Sequence, residues 1–272
     1  SNVHPETVML AVLSPAKALD FSPVNAELPV TEPTFMGDAS QLMKTARGLS
    51  QKRIRELMNL SPDLAKLNYD RYRSFELPFT EGNALPAGLV FNGDVYRGLD
   101  ARSLSRGDLE WAQDRIAILS GLFGLLRPLD LIQPYRLEMG TRLKNRRGGN
   151  LYSFWGEKIA KEIAERVSSH EDNTLVNLAS NEYFKAAKAK TLSTPVIECV
   201  FEDWKTSPDE GTVIGFLAKV ARGLMARYIV SERIDRAEGL RDFALERYAF
   251  QPARSSETRF VFTRKFVPVN GD

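Results

Sequence analysis

The chain is poor in the side chains that hold transition metals. Its 272 residues include one cysteine and two histidines, Cys199, His4 and His170. A single cysteine forms no disulfide within the chain, which favours a reducing compartment. The histidines are far apart and near no cysteine pair, so a zinc or haem site is not expected. Carboxylates remain as ligands, but no acidic loop has calcium or magnesium spacing, and we therefore predict no metal and no cofactor.

The chain also lacks an excess of charge of one sign and any long apolar run. Lys and Arg number 37 against 35 Asp and Glu, a formal net charge of +2, so contact with nucleic acid requires uneven placement of cations. No stretch approaches the roughly 18 apolar residues of a membrane span, and the apolar run 8–13 is too short for a signal peptide. We expect a cytoplasmic protein without membrane contact, and we interpret Ser1 and Asn2 as the remnant of a purification tag.

What the sequence does contain is an irregular mixture of strand and helix patterns. Short apolar or β-branched runs predict strands over residues 8–13, 87–91, 174–179, 195–201 and 212–216, and a C-terminal hairpin around a turn at 253–258. Helical spacing predicts helices over 38–48, 50–60, 105–116 and 217–234, with others starting near 62, 153 and 180. Neither a strict strand–helix repeat nor a low-complexity linker is present. We therefore predict one mixed α/β domain of the α+β class over residues 1–272, as a monomer.

Several helix starts carry a serine in the capping position. Ser50 and Ser61 precede predicted helices, and Pro62 suits the first helical position. Ser105 with Asp108 three residues later resembles a capping box. We also predict that Ser153 caps a helix and that Ser180 caps a short helix after a strand, and we predict that Cys199 is a buried, inert thiol.

The segment from residue 119 to residue 140 has the most unusual composition. Gly121 and Gly124 permit a close backbone approach, and two prolines stiffen the chain after them. Stiff backbone that carries arginines suits bidentate contacts with phosphate. The alternative is a set of local ion pairs, Arg127 with Asp130 and Arg136 with Glu138. Residues 127–147 contain six basic residues and only two acidic ones, Asp130 and Glu138. The basic residues are Arg127, Arg136, Arg142, Lys144, Arg146 and Arg147.

Other candidate binding residues follow predicted strands or lie on helices. Lys17 follows a strand end. Asp94 and Tyr96 lie in a loop flanked by glycine, where Asp94 either orients an arginine or acts as a general base. Lys219 and Arg222 are three residues apart and share one face of the long helix, which is either a solvated face or a wall of a binding cleft.

The segment from Ser180 to Lys185 has two interpretations. In the first, Ser180 only caps a helix and Tyr183 packs into the core. In the second, this helix start contributes to an anion site, with stacking by Tyr183 and neutralisation of charge by Lys185. Ser180 is not expected to be a triad nucleophile, because neither histidine lies near the candidate segments.

Six blocks of sequence together resemble a known family. In order along nearly the whole chain they are Leu13-Ser-Pro-Ala-Lys17, Phe91-Asn-Gly-Asp-Val-Tyr-Arg-Gly98, residues 119–140, Leu151-Tyr-Ser-Phe-Trp-Gly156, Asn177-Leu-Ala-Ser-Asn-Glu-Tyr-Phe-Lys185 and Ala218-Lys-Val-Ala-Arg-Gly-Leu-Met-Ala-Arg227. This pattern resembles the signature of the bacterial YaaA family, the peroxide-stress resistance proteins.

The resemblance implies a cytosolic role in the response to hydrogen peroxide, which limits free intracellular iron and protects DNA and proteins. It implies a mixed α/β fold with a positively charged cleft, DNA binding and an element like a helix-hairpin-helix, and it attaches no catalytic activity. The candidate for that element is the segment 120–124, where the glycines are spaced G-x-x-G rather than G-x-G. Gly121 and Gly124 are equally compatible with a packing role.

These observations lead to three hypotheses. In the first, a basic cleft grips the nucleic-acid backbone by shape through Lys17, Arg127, Arg136, Lys185, Lys219 and Arg222. In the second, the same cleft binds a nucleotide or another phosphorylated small molecule, with acid–base groups from Asp94, Tyr135, Glu138 and Ser180. A groove wider than about 12 Å favours the first and a narrow pocket the second. In the third, the protein itself sequesters iron through carboxylates.

Overall fold

The computed structural model describes residues 9–24, 26–168 and 173–268. Ser1, Asn2, His4, Val8 and His170 lie outside the described residues. The strands are β1 (Leu10–Leu13), β2 (Leu85–Pro86), β3 (Ile116–Ser120), β4 (Gly124–Leu126), β5 (Leu131–Ile132), β6 (Leu175–Leu178), β7 (Val196–Trp204), β8 (Ala249–Phe250) and β9 (Arg259–Lys265).

Helices flank these strands throughout the chain. They are α1 (Met36–Arg47), α2 (Gln51–Met58), α3 (Pro62–Ser74), α4 (Ala87–Val90), α5 (Asp94–Leu99), α6 (Arg106–Ala112), α7 (Leu151–Trp155), α8 (Lys158–Ser168), α9 (Asn181–Phe184) and α10 (Gly215–Ser231), with short 3₁₀ turns between some of them. None of the helices within the described ranges combines the length and the apolar character that crossing a bilayer requires.

A seven-stranded, mostly parallel sheet organises the fold, in the order β4-β3-β1-β6-β7-β9-β8. β1 lies between β3 and β6 and is parallel to both, with Ala11 opposite Ile116 on one side and Val176 on the other. β4 and β8 run antiparallel at the two edges. Every residue of β1 and β3 is buried, as expected for central strands covered on both faces. The fold is therefore mixed α/β, as predicted.

The sheet has a topological switch point at β1. The chain passes from β1 to β3 on one side and later returns to β6 on the other side. Because the three strands are parallel, their carboxyl ends lie at the same edge, where Leu13, Ser120 and Leu178 end them. Open α/β sheets bind ligands outside the carboxyl ends of strands at such a point. The fold alone therefore predicts a ligand site beside residue 14.

Local capping signals are largely confirmed. Ser50 accepts from Arg53 N at 3.1 Å, Ser61 accepts from Leu64 N at 3.3 Å, and Ser105 forms the predicted capping box with Asp108. Ser153 does not cap a helix, because it lies inside α7, where its backbone N–H donates to the Asn150 side chain at 2.8 Å.

Three predicted elements are wrong, and Asp94 and Tyr96, predicted to lie in a loop, belong to α5. Residues 87–90 form one helical turn, α4, in place of a strand. The helix after Ser105 ends at Ala112, and Ile116 begins the buried strand β3. Residues 212–216 do not form a strand, since Thr212 makes only an isolated bridge to Asp203 before α10 begins.

The segment 116–126 is a β-hairpin, which corrects the predicted helix-hairpin-helix turn. β3 and β4 pair antiparallel, with Ser120 opposite Gly124. Gly124 has a φ of +73°, and a Cβ there would lie 2.8 Å from the indole ring of Trp155. The carbonyl of Gly121 accepts from Trp155 Nε1 at 2.9 Å. Both glycines therefore allow close packing, as the alternative interpretation predicted.

α5 and α10 pack backbone against backbone. A Cβ on Gly98 would overlap the carbonyl oxygen of Val220, and a Cβ on Gly223 would overlap that of Val95. This close approach needs glycine on both helices. It fixes the beginning of α5 beside α10, so that Asp94 and Arg222 line the same cleft.

Candidate anion-binding cleft

A cleft of about 480 Å³ lies at the carboxyl ends of β1 and β6. Its walls are the turn after β1, the start of α5, the segment 135–138, the start of α9 and the middle of α10. The residues proposed from the sequence that line it are Lys17, Asp94, Tyr96, Tyr135, Arg136, Glu138, Ser180, Tyr183, Lys219 and Arg222. Residues far apart in the sequence therefore converge on one concave surface.

Two serines join the ends of β1 and β6. The backbone N–H of Ser180 donates to Ser14 Oγ at 2.8 Å, and Ser14 Oγ donates to Ser180 Oγ at 3.3 Å. The Tyr96 hydroxyl donates to the Ser14 carbonyl at 2.7 Å. Ser180 occupies the N-cap position of α9 without a capping side-chain bond. Among the described residues its hydroxyl has no acceptor, so its proton is available to a ligand.

Three buried tyrosines line the cleft. Burial raises the pKa of Tyr96, Tyr135 and Tyr183; charge repulsion from Tyr135 and Tyr183 adds to the effect for Tyr96, and repulsion from Tyr135 and Glu182 adds to it for Tyr183. Tyr135 OH lies 2.6 Å from Ser120 Oγ. Because the raised pKa keeps these phenols neutral, they serve as hydrogen-bonding groups and not as anions.

Glu138 connects two cations at the mouth of the cleft. Its Oε1 lies 3.2 Å from Lys17 Nζ and 3.3 Å from Arg136 Nη2. The predicted local pair of Arg136 with Glu138 is therefore present, although Arg136 also lines the cleft. Arg136 Nε is buried and has no hydrogen-bond partner in the part of the chain that the structure describes. A buried donor without a partner is costly.

The cations on α10 have no close carboxylate. Within residues 9–24, 26–168 and 173–268, Lys219 and Arg222 form no ion pair within 4.0 Å, and the Arg222 side chain makes no hydrogen bond. Arg222 is partly buried. Burial lowers the pKa of its guanidinium, and attraction to Glu198 partly offsets this, but an arginine stays charged at neutral pH. A partly desolvated cation without a bonded anion marks this wall as the part of the cleft best suited to an anionic group.

Carboxylates share the cleft with these cations. Asp94, Glu138 and Glu182 line it together with the four basic residues. Asp94 Oδ1 lies 3.4 Å from Arg97 Nη2, and Glu182 Oε2 accepts from the backbone N–H of Gly140 at 2.9 Å. The lining therefore offers acceptors for hydroxyl or amino groups as well as donors for an anion.

Four of the proposed residues lie outside the cleft. Gly121 and Gly124 pack against neighbouring groups, as described above. Arg127 makes the local ion pair that the alternative interpretation predicted, with Nη2 3.0 Å from Asp130 Oδ1. Lys185 Nζ lies 4.8 Å above the ring of Tyr152. The cation set of the first hypothesis is therefore split between the cleft and other surfaces.

Among the charged and hydroxyl-bearing residues that line the cleft, sequence reasoning missed Ser14 and Glu182. Ser14 belongs to the first sequence block, and its position one residue after a buried strand was the available signal. Glu182 lies in the block with Ser180, but its contact with Gly140 joins residues 42 apart and leaves no local pattern. Arg227 donates to the carbonyls of Leu99 and Asp100 at the end of α5.

The described residues provide no group of three or more His, Cys, Asp or Glu side chains positioned to hold a metal ion. Cys199 is buried in β7, as predicted. Burial, with a smaller effect of Glu198, raises the pKa of its thiol to about 12. The thiolate that reacts with peroxide is therefore scarce at neutral pH.

Comparison with known proteins places the chain in one family. The family model for the peroxide stress protein YaaA matches residues 9–254. The chain is 51% identical over 256 residues to a UPF0246 protein of Caulobacter vibrioides and 52% identical over 258 residues to one of Bordetella pertussis. Each alignment covers 94% of this chain and 99% of the relative. The chain therefore belongs to the peroxide stress protein YaaA family.

Proposed function

We propose that this peroxide stress protein binds a small phosphorylated ligand in the cleft at the carboxyl ends of β1 and β6. The observation that carries the proposal is the partly buried Arg222, which lines this cleft without a carboxylate within 4.0 Å among the described residues. A phosphate group supplies the missing acceptors and matches the bidentate geometry of a guanidinium.

The size and lining of the cleft support a small ligand. Its volume of about 480 Å³ falls within the roughly 300–1,000 Å³ of pockets for small molecules and cofactors. Three carboxylates lie among the four cations of the lining, so the cleft presents no uninterrupted row of cations to a continuous phosphate backbone. A small ligand instead presents its phosphate to Lys219 and Arg222 and its hydroxyl or amino groups to Asp94 and Glu138.

The first experiment measures the binding of inorganic pyrophosphate by calorimetry at low salt. We expect Arg222→Met to weaken binding at least tenfold, because a hydrogen bond to a charged group contributes about 1.5–3 kcal/mol. The matched control is Arg53→Met, since Arg53 is exposed on α2 and, among the described residues, forms an ion pair only with Glu56, at 3.8 Å. Equal affinity of both variants, or no binding of pyrophosphate by the unaltered protein, would contradict the proposal.

DNA binding is a second candidate, favoured by a separate group of exposed cations. We define the rim strip as Arg142, Lys144, Arg146 and Lys185, all exposed. None of them forms an ion pair with a carboxylate of the described ranges. Two contacts join the segment 140–152 to α9, from Gly140 N and Tyr152 OH to Glu182. Exposed cations beside a cleft suit contact with a phosphate backbone read by shape and not by base sequence.

The strip proposal is tested with the triple variant Arg142→Gln, Lys144→Gln and Arg146→Gln. We expect weaker binding to duplex, bulged and branched DNA, and a salt dependence whose log–log slope falls by about 2–3, since each lost phosphate contact removes roughly 0.9. Fluorescence anisotropy at several salt concentrations measures both. Arg222→Met is the control and keeps the slope. An absence of DNA binding at low salt would contradict the DNA-binding proposal and would not affect the small-ligand proposal.

Limitation of free iron is proposed as an indirect effect of the ligand or DNA interaction. The whole chain has two histidines and one cysteine, and burial of Cys199 removes the thiol from use. Iron prefers carboxylate, imidazole and thiolate ligands in clusters. Tight stoichiometric binding of ferrous iron by the purified protein would show the effect to be direct.

A further inference from the structure

An exposed aromatic ring lies beside the cations of the cleft. Phe216, in the first turn of α10, is 54% exposed. Residues three apart on a helix share a face, so Phe216 lies one turn before Lys219, and Arg222 follows three residues later. Lys219 and Arg222 line the cleft. Phe216 is not itself a lining residue, and its exposed ring lies one helical turn from Lys219, next to the cleft rather than inside it.

The core of α10 is formed by other residues. Ala218, Ala221 and Met225 face the interior and are buried. Phe216 leaves more than half of its ring in water and so adds little to this packing. A single exposed hydrophobic residue is common on protein surfaces, so exposure alone indicates no ligand. The informative feature is the position of the ring one helical turn from a cation that lacks a close carboxylate.

An aromatic ring next to phosphate-binding cations matches the chemistry of a nucleotide. Every nucleobase has a π-face that stacks on an aromatic side chain, and stacking contributes about 1–3 kcal/mol per base. One helical turn rises about 5.4 Å, which is comparable to the separation of a base from its 5′-phosphate. The acceptors Asp94 and Glu138 in the same cleft suit the hydroxyl groups of a ribose.

We propose that the phosphorylated ligand of the cleft is a nucleotide whose base stacks on Phe216 while its phosphate lies against Lys219 and Arg222. This inference rests on the proposed function, because it identifies the ligand of the same site. The shared chemistry of base, sugar and phosphate is supplied equally by a free nucleotide and by the 5′-phosphorylated end of a single strand.

The test compares ADP with inorganic pyrophosphate, which has the diphosphate without the nucleoside. We expect the unaltered protein to bind ADP at least tenfold more tightly than pyrophosphate. Phe216→Ala is expected to weaken ADP binding about tenfold and to change pyrophosphate binding less than twofold, whereas Phe216→Tyr keeps both. Val213→Ala is the matched control, since Val213 is 53% exposed just before α10, and it changes neither affinity.

The outcomes separate this inference from the proposal on which it rests. If pyrophosphate binds through Arg222 but ADP binds no more tightly, or if Phe216→Ala weakens both ligands equally, the nucleotide assignment is overturned and the phosphate site stands. If neither ligand binds, the proposed function itself fails. Competition of ADP with a 5′-phosphorylated single strand, but not with its 5′-hydroxyl counterpart, supports the assignment and identifies a strand end as the source. Failure of both strands to compete supports it with a free nucleotide as the source.

Discussion

Gly223→Ala is expected to lower the free energy of unfolding by about 3 kcal/mol, at the upper end of the usual cost of overpacking a well-packed interior. A Cβ at Gly223 would overlap the carbonyl oxygen of Val95 and lie 2.8 Å from the backbone nitrogen of Leu99. These are backbone atoms of α5, so no side-chain rotation relieves the contact. The two helices must separate, which also moves Asp94 and Arg222 in the cleft. For a domain of this size the melting temperature is expected to fall by roughly 6–12 °C.

The matched control is Gly215→Ala in the same helix. A Cβ at Gly215 meets no atom within 4 Å, and alanine favours helix over glycine by up to about 1 kcal/mol. We therefore expect the control to keep or slightly raise the melting temperature measured by circular dichroism. Equal stability of the two variants would show that the contact of α5 with α10 is not the close backbone packing argued above.

Features that depend on a few neighbouring residues could be predicted from the sequence. Ser50, Ser61 and Ser105 cap helices because a serine side chain reaches the backbone N–H three residues later, whatever the rest of the fold does. The buried run of β1 and the hairpin of β8 with β9 are similarly local. These are the parts of the fold that the sequence predicts with a physical reason.

The errors arose where tertiary context decides. Apolar residues over 105–119 fit helical spacing, but Ile116 and the residues after it pair with β1, and inter-strand hydrogen bonds there replace those of a helix. The short run 87–90 is apolar all round and buried on every side, so its period does not distinguish strand from helix. Pairing partners more than 100 residues apart cannot be read from local spacing.

The cleft was predicted as a convergence of distant residues, and the structure brings most of them together. The reason is topological: the blocks that contain Lys17 and Ser180 each follow a strand, and β1 and β6 are parallel neighbours. Arg127 was predicted to line the cleft but does not, and this difference also has a physical reason. Whether an arginine pairs locally or serves a ligand depends on the burial of its carboxylate partner, and Asp130 is fully buried.

Asp130→Ala is expected to lower the free energy of unfolding by about 3 kcal/mol, because removing one partner of a buried ion pair leaves the other charge uncompensated. Asp130 accepts from Thr31 Oγ1 at 2.6 Å and from Arg127 N at 2.8 Å, in addition to the guanidinium of Arg127. Alanine leaves the Thr31 hydroxyl and the Arg127 backbone N–H without this acceptor, while the guanidinium keeps its bond to the Glu32 carbonyl. Denaturant unfolding monitored by fluorescence measures the change.

The control is Asp70→Ala, which removes a carboxylate from an exposed pair with Lys66 on α3. Such i,i+4 pairs contribute only about 0.3–0.5 kcal/mol. Comparing the two variants therefore distinguishes the effect of losing a buried carboxylate from the effect of losing a charge at the surface. Arg127→Met completes the test, because a purely structural arginine alters stability and leaves the pyrophosphate affinity of the folded protein unchanged. If Arg127→Met weakens pyrophosphate binding as much as is expected for Arg222→Met, Arg127 contacts the ligand. The ion pair with Asp130 would then orient the guanidinium towards the ligand and would not be its sole role.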